Sequence, residues 1–220
     1  MTKITRVTRT RQQAKTTYDK LSRWYDLLAG GFEGRPRRAA TRLLSPNDAD
    51  KVLEIGSGTG NSLGKLVDMV GDSGEVYGID LSEGMLEVAQ TRVNKLGIDE
   101  RVFLVCGDAL QLPFKADFFD KILISFTLEL FDTPEIPRVL AECLRCLREG
   151  GHISVVGLSK KNPNRMTGIY EWFHEKLPIY VDCRPIFVQK ELEHAGFQIL
   201  QASDLSMMGL KSELVLAEKP

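Results

Sequence analysis

The sequence predicts an α/β fold: a seven-stranded, mostly parallel sheet with helices on both faces and an antiparallel hairpin at its C-terminal end. Short, almost wholly apolar runs alternate with helical patterns between residues 52 and 156, the rhythm of βαβ units. The first run, Val52-Leu53-Glu54-Ile55, breaks at Gly56, Gly58 and Gly60, and a helical pattern begins at Asn61. The last two apolar runs have no helix between them, so they read as a hairpin on the sheet edge.

Taken in order, residues 11–29 read as a helix with Tyr18, Leu21, Trp24, Tyr25 and Leu28 at helical spacing, ended by Gly30-Gly31. Pro36 opens a second helix bearing Ala39, Ala40, Leu43 and Leu44, which stops before Ser45-Pro46-Asn47-Asp48. These two helices are expected to cover the open side of a ligand site. Strand 52–55 and helix 61–70 follow, then a turn at 71–74 and strand 75–79 ending at Asp80. Ser82 caps the next helix, which carries Met85, Leu86, Val88, Ala89 and Val93 and closes at Gly97. Strand 101–106 ends in Gly107-Asp108, and 110–118 connects it to strand 119–125. Pro134 starts a helix that runs to about 147, stopped by Gly150-Gly151, before strand 153–156. Prolines and aromatics break the rhythm across 158–186, which reads as an insertion or lid with one amphipathic helix near 167–176. Helix 188–195, stopped by Gly196, and strands 197–202 and 212–217 complete the chain. No repeat and no linker marks a second domain. The chain reads as one unit, 1–220, with 1–45 a helical cap and 158–187 the insertion.

The 220 residues suffice for one α/β core, and Lys plus Arg (29) nearly balance Asp plus Glu (30). Bulk charge therefore predicts no nucleic-acid partner. The balance is uneven along the chain. Residues 1–42 hold eleven cations against Asp19, Asp26 and Glu33, either a solvated helix face or a surface for anionic lipid or an acidic substrate. No apolar run reaches the ~18–20 residues that span a bilayer, and residues 1–11, basic and Thr-rich, are not a secretory leader and should be poorly ordered. Cys143 and Cys146 form a C-x-x-C inside a helical pattern, without the further ligands a zinc site needs, and read as small buried residues; no metal is expected. Free thiols suit a reducing, cytoplasmic compartment.

Glycines at a strand-to-helix turn let the backbone approach a ligand at the carboxyl end of a strand, where open α/β sheets bind. The spacing G-x-G-x-G is not the G-x-G-x-x-G of a dinucleotide fold, and Asn61 stands where a phosphate loop needs Lys. Glu54 just before the glycines repels a pyrophosphate and welcomes a cationic amine. Asp80, at the end of the second strand, can accept hydrogen bonds from both hydroxyls of a ribose. Asp108 can accept from an exocyclic amine such as that of adenine, or make an Asx turn. Leu81 and Met85 can clamp a flat base.

The glycine loop with its acid, Val76-Tyr77-Gly78-Ile79-Asp80-Leu81-Ser82, Gly107-Asp108-Ala109-Leu110-Gln111-Leu112-Pro113-Phe114 and Leu147-Arg148-Glu149-Gly150-Gly151 resemble successive motifs of class I S-adenosylmethionine-dependent methyltransferases, which have a Rossmann-like fold. Tyr18-Asp19-Lys20-Leu21-Ser22-Arg23-Trp24-Tyr25-Asp26 resembles the N-terminal signature of the ubiquinone/menaquinone-biosynthesis branch and of related small phospholipid N-methyltransferases. The resemblance implies S-adenosyl-L-methionine as cofactor, with Gly56, Gly58 and Gly60 along its methionine part and Glu54 nearby. It implies Asp80 at the ribose, Asp108 and Ala109 at the adenine, Ser125 and Phe126 near the sulfonium, and Tyr18 and Tyr25 closing over the whole.

The implied activity is methyl transfer to a quinone-type ring or a lipid amine; the aromatics of the insertion together with the basic N-terminal helices suit a small or amphipathic acceptor and peripheral membrane contact, and the alternative is a cofactor-binding regulatory module. Quinone-acting members carry a polar stretch, often with His or Asn, after the fourth strand; here that stretch is Ser125-Phe126-Thr127-Leu128-Glu129-Leu130. A general base is needed only where the nucleophile keeps a proton. His174, beside Trp172 and Phe173 in the insertion, is the candidate for it, with Glu129 and Tyr180 behind; His152 and His194 read as structural. Arg184 can meet an acidic substrate group or pair with Asp182.

Overall fold

The computed structural model describes residues 4, 6, 7, 9–161, 168, 183–207 and 209–220, with backbone alone at 23, 24 and 27–32. Seven strands form one sheet in the order β3-β2-β1-β4-β5-β7-β6. Strands β1 (Lys51–Ile55), β2 (Glu75–Asp80), β3 (Val102–Cys106), β4 (Phe119–Ser125) and β5 (Leu147–Leu158) pair in parallel. Strand β7 (Leu210–Glu218) inserts antiparallel between β5 and β6 (Gln198–Met207), the expected hairpin at the edge.

Successive residues of a strand face opposite sides, and β1 shows what that does here. Leu53 and Ile55 join Ile79, Ile122, Ile124, Ile153 and Val155 against α4 (Ile136–Cys146) and α5 (Val188–Ala195). Val52 joins Val76, Leu123 and Val156 on the other face, under α1 (Arg11–Leu44), α2 (Leu63–Met69) and α3 (Glu83–Leu96). Truncating one such side chain, Leu53→Ala for instance, should cost about 2–5 kcal/mol. No helix lies between β3 and β4. Phe114, Phe118 and Phe119 fill that gap around Tyr77, with rings 4.9–5.8 Å from one another or from it, save the parallel Phe114–Phe118 pair at 6.4 Å.

The structure corrects three expectations. The two N-terminal helices are one: α1 runs unbroken through Gly30-Gly31 and Pro36. Glycines cost a helix about 1 kcal/mol each and an interior proline ~3 kcal/mol, so tertiary contacts must hold it. Ala40 and Leu44 are buried in the core, and the Ala40 carbonyl accepts from Ser154 Oγ at 3.0 Å. The N-terminus is capped by a reciprocal Thr10–Gln13 box, and Ser45, at φ 44°, ends the helix. Secondly, α4 begins at Ile136 rather than Pro134, and Gly150-Gly151 do not stop it. The chain enters β5 directly at Leu147, and the glycines sit where β5 bulges against β4, between the Phe119–Leu147 and Lys121–His152 pairs. Gly150 takes φ 67° there, and its N–H donates to the Lys219 carbonyl. Thirdly, β5 and the closing hairpin are longer than their apolar runs. The helix expected near 167–176 lies outside the described residues. Among the described residues, no helix is long and apolar enough to cross a membrane.

Candidate functional site

A cavity of about 410 Å³ opens at the carboxyl ends of β1, β2, β3 and β4, a size suited to a small ligand. The turn after β1 forms its floor. Gly56 and Gly58 take φ 69° and 52°, in the left-handed region where a Cβ is unwelcome. A Cβ on Gly56 would stand 2.2 Å from Thr127 Oγ1, so only glycine lets this turn pass under the loop after β4. Phe126 in that loop also has positive φ, 51°, and is nearly buried. A bulky residue held there marks a strained turn on the cavity wall.

Three buried polar atoms of wall residues have no hydrogen-bond partner among the described residues: Glu54 Oε2, Ser57 Oγ and Ser125 Oγ. Buried polar groups are ordinarily paired, so these invite a ligand with matching donors and acceptors. Burial pushes the Glu54 carboxyl up to about 7, against the Ser62 hydroxyl and Arg37, which draw it down; Asp80 adds to the rise. A cation beside Glu54 would restore its charge. Asp80 is held by two backbone donors, Gly58 N–H to Oδ2 at 2.8 Å and Ser82 N–H to Oδ1 at 2.9 Å. Burial raises its carboxyl, and these donors pull it back.

Asp108 is more engaged than its position suggested. Its Oδ1 accepts from Leu110 N–H at 3.0 Å, the Asx turn, and its Oδ2 from Arg11 at 2.5 Å. Arg11 also reaches Glu135 at 2.6 Å, and Arg6 pairs with Asp132 at 2.5 Å. The segment leading into α1 is thus tied across the cavity mouth, with Val7, Arg9 and Thr10 on its wall.

Helix α1 supplies the facing wall through Tyr18, Tyr25, Glu33 and Arg37. Two acids pin it in place. Asp19 accepts from Ser82 Oγ at 2.6 Å and Gly84 N–H at 3.1 Å, joining α1 to the start of α3. Asp26 accepts from Thr59 Oγ1 at 2.6 Å, Asn61 Nδ2 at 2.8 Å and Arg92 at 2.6 Å, joining it to the glycine turn. Burial would raise both carboxyls, yet these donors hold each below its ordinary value. Glu33 pairs with Arg37, and the Tyr25 hydroxyl points to Glu33 at 3.5 Å.

Of the residues singled out from sequence, the cavity wall brings together Tyr18, Tyr25, Glu54, Gly56, Gly58, Asp80, Leu81, Met85, Asp108, Ala109, Ser125 and Phe126. Gly60 stands off that wall: a Cβ there would meet Leu63 at 2.9 Å and Ala89 at 3.1 Å, so its smallness serves the packing of α3. His174 and Tyr180 lie outside the described residues, as does Asp182. Glu129 is wholly buried off the wall, where its carboxylate accepts from Leu158 N–H at 3.0 Å. Arg184 is also wholly buried; it donates to the Phe131 carbonyl and to Thr133 Oγ1, which makes it a strut behind the wall instead of a substrate contact. His152 sits in β5 between Lys121 and Glu218, far down the strand, as a structural residue. Sequence reading missed Asp19, Asp26, Glu33 and Arg37 as parts of the site. The available signal was the seven-residue recurrence Tyr18-Asp19, Tyr25-Asp26, Phe32-Glu33, which keeps one helix face.

Residues 52–151 match the family model described as "Methyltransferase domain". The "Ubiquinone/menaquinone biosynthesis C-methyltransferase UbiE" of Vibrio campbellii is 30% identical over 169 residues, covering 77% of this chain and 63% of that protein. The chain therefore spans less than two thirds of this relative. The "Demethylmenaquinone methyltransferase" of Bacillus pumilus is 29% identical over 215 residues, 94% of this chain and 87% of the relative. A crystal structure of a "SAM dependent methyltransferase" from Aquifex aeolicus superposes with a TM-score of 0.67 at 21% identity, covering 94% of this chain and 98% of that one. That last likeness speaks for the fold.

Proposed function

We propose that residues 52–151, which match the methyltransferase domain model, form a class I S-adenosylmethionine-dependent methyltransferase domain, and that the chain transfers a methyl group from that cofactor to a small or amphipathic acceptor. The observation that carries the reading is the set of orphaned polar atoms, Glu54 Oε2, Ser57 Oγ and Ser125 Oγ, on one wall with Asp80. They ask for an amine and a polyol, not a pyrophosphate. When bound, S-adenosylmethionine supplies a methyl on a positively charged sulfur that a nucleophile can take in line. In this reading Asp80 receives the ribose hydroxyls, and Glu54 receives the amino group. Arg37, close enough to Glu54 to lower its carboxyl, reads the opposite charge of the same amino-acid end. Asp108, shared with Arg11, and Ala109 meet the adenine edge between Leu81 and Met85. Ser125 and Phe126 flank the reacting end, and Tyr18 and Tyr25 keep water from it. The unit is 1–220, with 1–45 as its helical cap and 158–187 as an insertion in the sequence.

The relatives' names support a quinone-type ring as acceptor. A phenolic or quinol ring needs a base for its proton. In addition to His174, the wall groups Tyr25 and Glu33 are the ones to test. A lipid amine is the second reading, favoured by a stretch at 125–130 that holds neither His nor Asn.

Calorimetry with S-adenosylhomocysteine tests the cofactor. Wild type should bind, and Asp80→Ala should lose about 1.5–3 kcal/mol, a charged hydrogen bond's worth. Equal binding by both overturns the site assignment. Methyl-labelled cofactor offered with a demethylmenaquinol and, separately, with phosphatidylethanolamine then names the acceptor. Tight binding without label in either would return the regulatory alternative.

A further inference from the structure

We infer that the outer face of α1 is a contact surface for an anionic phospholipid bilayer. The inference goes beyond methyl transfer, because it concerns the side of the helix turned away from the cavity. Charges on α1 are sorted by sign. Its acids are Asp19, Asp26 and Glu33, seven apart and hence on one face, and each is engaged with a partner on the inner side. The inward cations Arg11, Lys15 and Arg37 are spent on carboxylates. Lys20, Arg35, Arg38 and Arg42 are exposed and form no ion pair among the described residues. Lys20 and Arg38 are eighteen residues apart, five turns of helix, so they share one azimuth, with Arg42 and Arg35 within about 60° of it.

Four unmatched cations thus make a single stripe roughly 33 Å long, from Lys20 to Arg42, at about 1.5 Å per residue. No acid interrupts it, since α1 has none on that side. Elsewhere the chain is net acidic, because the formal total is −1. A row of that length fits an extended negative plane better than a small anion, which one or two of these side chains would satisfy. The opposite face of the same helix lines the cavity with Tyr18, Tyr25 and Arg37. Seated on a bilayer, α1 would leave about one helix diameter, roughly 10 Å, between lipid and cavity. An acceptor dissolved in the bilayer would then have a short path in. Each cation near an anionic surface contributes about 1 kcal/mol, so four together shift partitioning by about a thousandfold.

The test is co-sedimentation of the full chain with phosphatidylcholine vesicles, with and without phosphatidylglycerol. Wild type should bind the anionic vesicles only, and should release them as salt shortens the screening length. The variant Lys20→Gln/Arg35→Gln/Arg38→Gln/Arg42→Gln should lose that binding about a thousandfold, while keeping its circular dichroism and its affinity for S-adenosylhomocysteine. Replacing the three arginines by lysine should retain it, since the plane reads charge. Binding to neutral vesicles as strong as to anionic ones, undiminished binding by the glutamine variant, or preference for duplex DNA over vesicles would each overturn the inference. None of these readouts depends on methyl transfer, so failure here leaves the proposed activity standing, and the reverse holds.

Discussion

The strand-end wall of the cavity is made of backbone turns, whereas the α1 wall is made of side chains reaching from a helix. On the first wall, Gly56 and Gly58 sit in left-handed turns, and Asp80 is fixed by two main-chain N–H groups. Little there can move without breaking the sheet. On the second, Tyr18, Tyr25, Glu33 and Arg37 depend on a helix that is docked through two carboxylates, Asp19 and Asp26. The sheet therefore gives the site its shape, and α1 closes it through contacts that can be removed one at a time. A substitution on the first wall should unmake the cavity. One on the second should loosen its cover and leave the fold intact.

The largest expected effect is Gly56→Ala. A positive φ costs a non-glycine residue about 1–2 kcal/mol, and the clash with Thr127 adds ~1–3 kcal/mol of overpacking. Thermal melting should fall by several degrees and S-adenosylhomocysteine binding should vanish; an intact, binding-competent variant would mean that the first wall is as adjustable as the second. Next is Glu54. Its carboxyl sits at about 7 when folded against an ordinary 4.5, because it is buried. The folded chain thus keeps a proton that the unfolded chain gives up, so its stability is fullest below the ordinary value and declines as pH rises through 7. That decline amounts to roughly 3 kcal/mol. Glu54→Gln should flatten it in melts taken across this range. Binding of a ligand amine should run the other way, strengthening as Glu54 ionises, and should lose its pH dependence in the same variant.

A smaller effect is expected from Asp26→Ala. The Arg92 pair is partly exposed and counts for little, so the loss is about 1–2 kcal/mol, mainly of two hydrogen bonds. Hydrogen exchange should rise along α1 but not in β1 or β4, and ligand affinity should fall about tenfold. Matching exchange in strands and helix would erase the distinction between the walls. Smallest is Thr10→Ala, which removes half of the capping box and should cost ~1 kcal/mol of local order at the start of α1. Amide exchange at residues 11–14 would register it.

The two walls were also unequally legible in the sequence. Strand β1 announced itself because Val52-Leu53-Glu54-Ile55 is largely apolar up to a glycine break; Asp80 ended β2 as expected, and Asp108 stands two residues past the end of β3. Backbone rules are local, so they show in short windows. Helix α1 was read as two because Gly30-Gly31 and Pro36 are local stop signals. What overrode them is distant: Ser154, on β5, reaching the Ala40 carbonyl, and Asp19 and Asp26 finding partners some 33–63 residues on. Gly150-Gly151 misled for the same reason. Their work is a bulge in a strand pairing that no window on one strand contains.

Helix α1 is fastened at residues 19, 26 and 40, and the gaps between these points, seven and fourteen residues, are close to two and four helical turns. Its length is consequently a fixed quantity. One residue added between Asp26 and Arg35 would rotate everything beyond it by about 100°, carrying Arg37 off the cavity and Arg35, Arg38 and Arg42 out of line with Lys20 together. The fold should therefore tolerate outer-face substitutions, and the cation stripe those that keep charge, where neither tolerates insertions or deletions, so α1 is a segment whose spacing is held more tightly than its side chains.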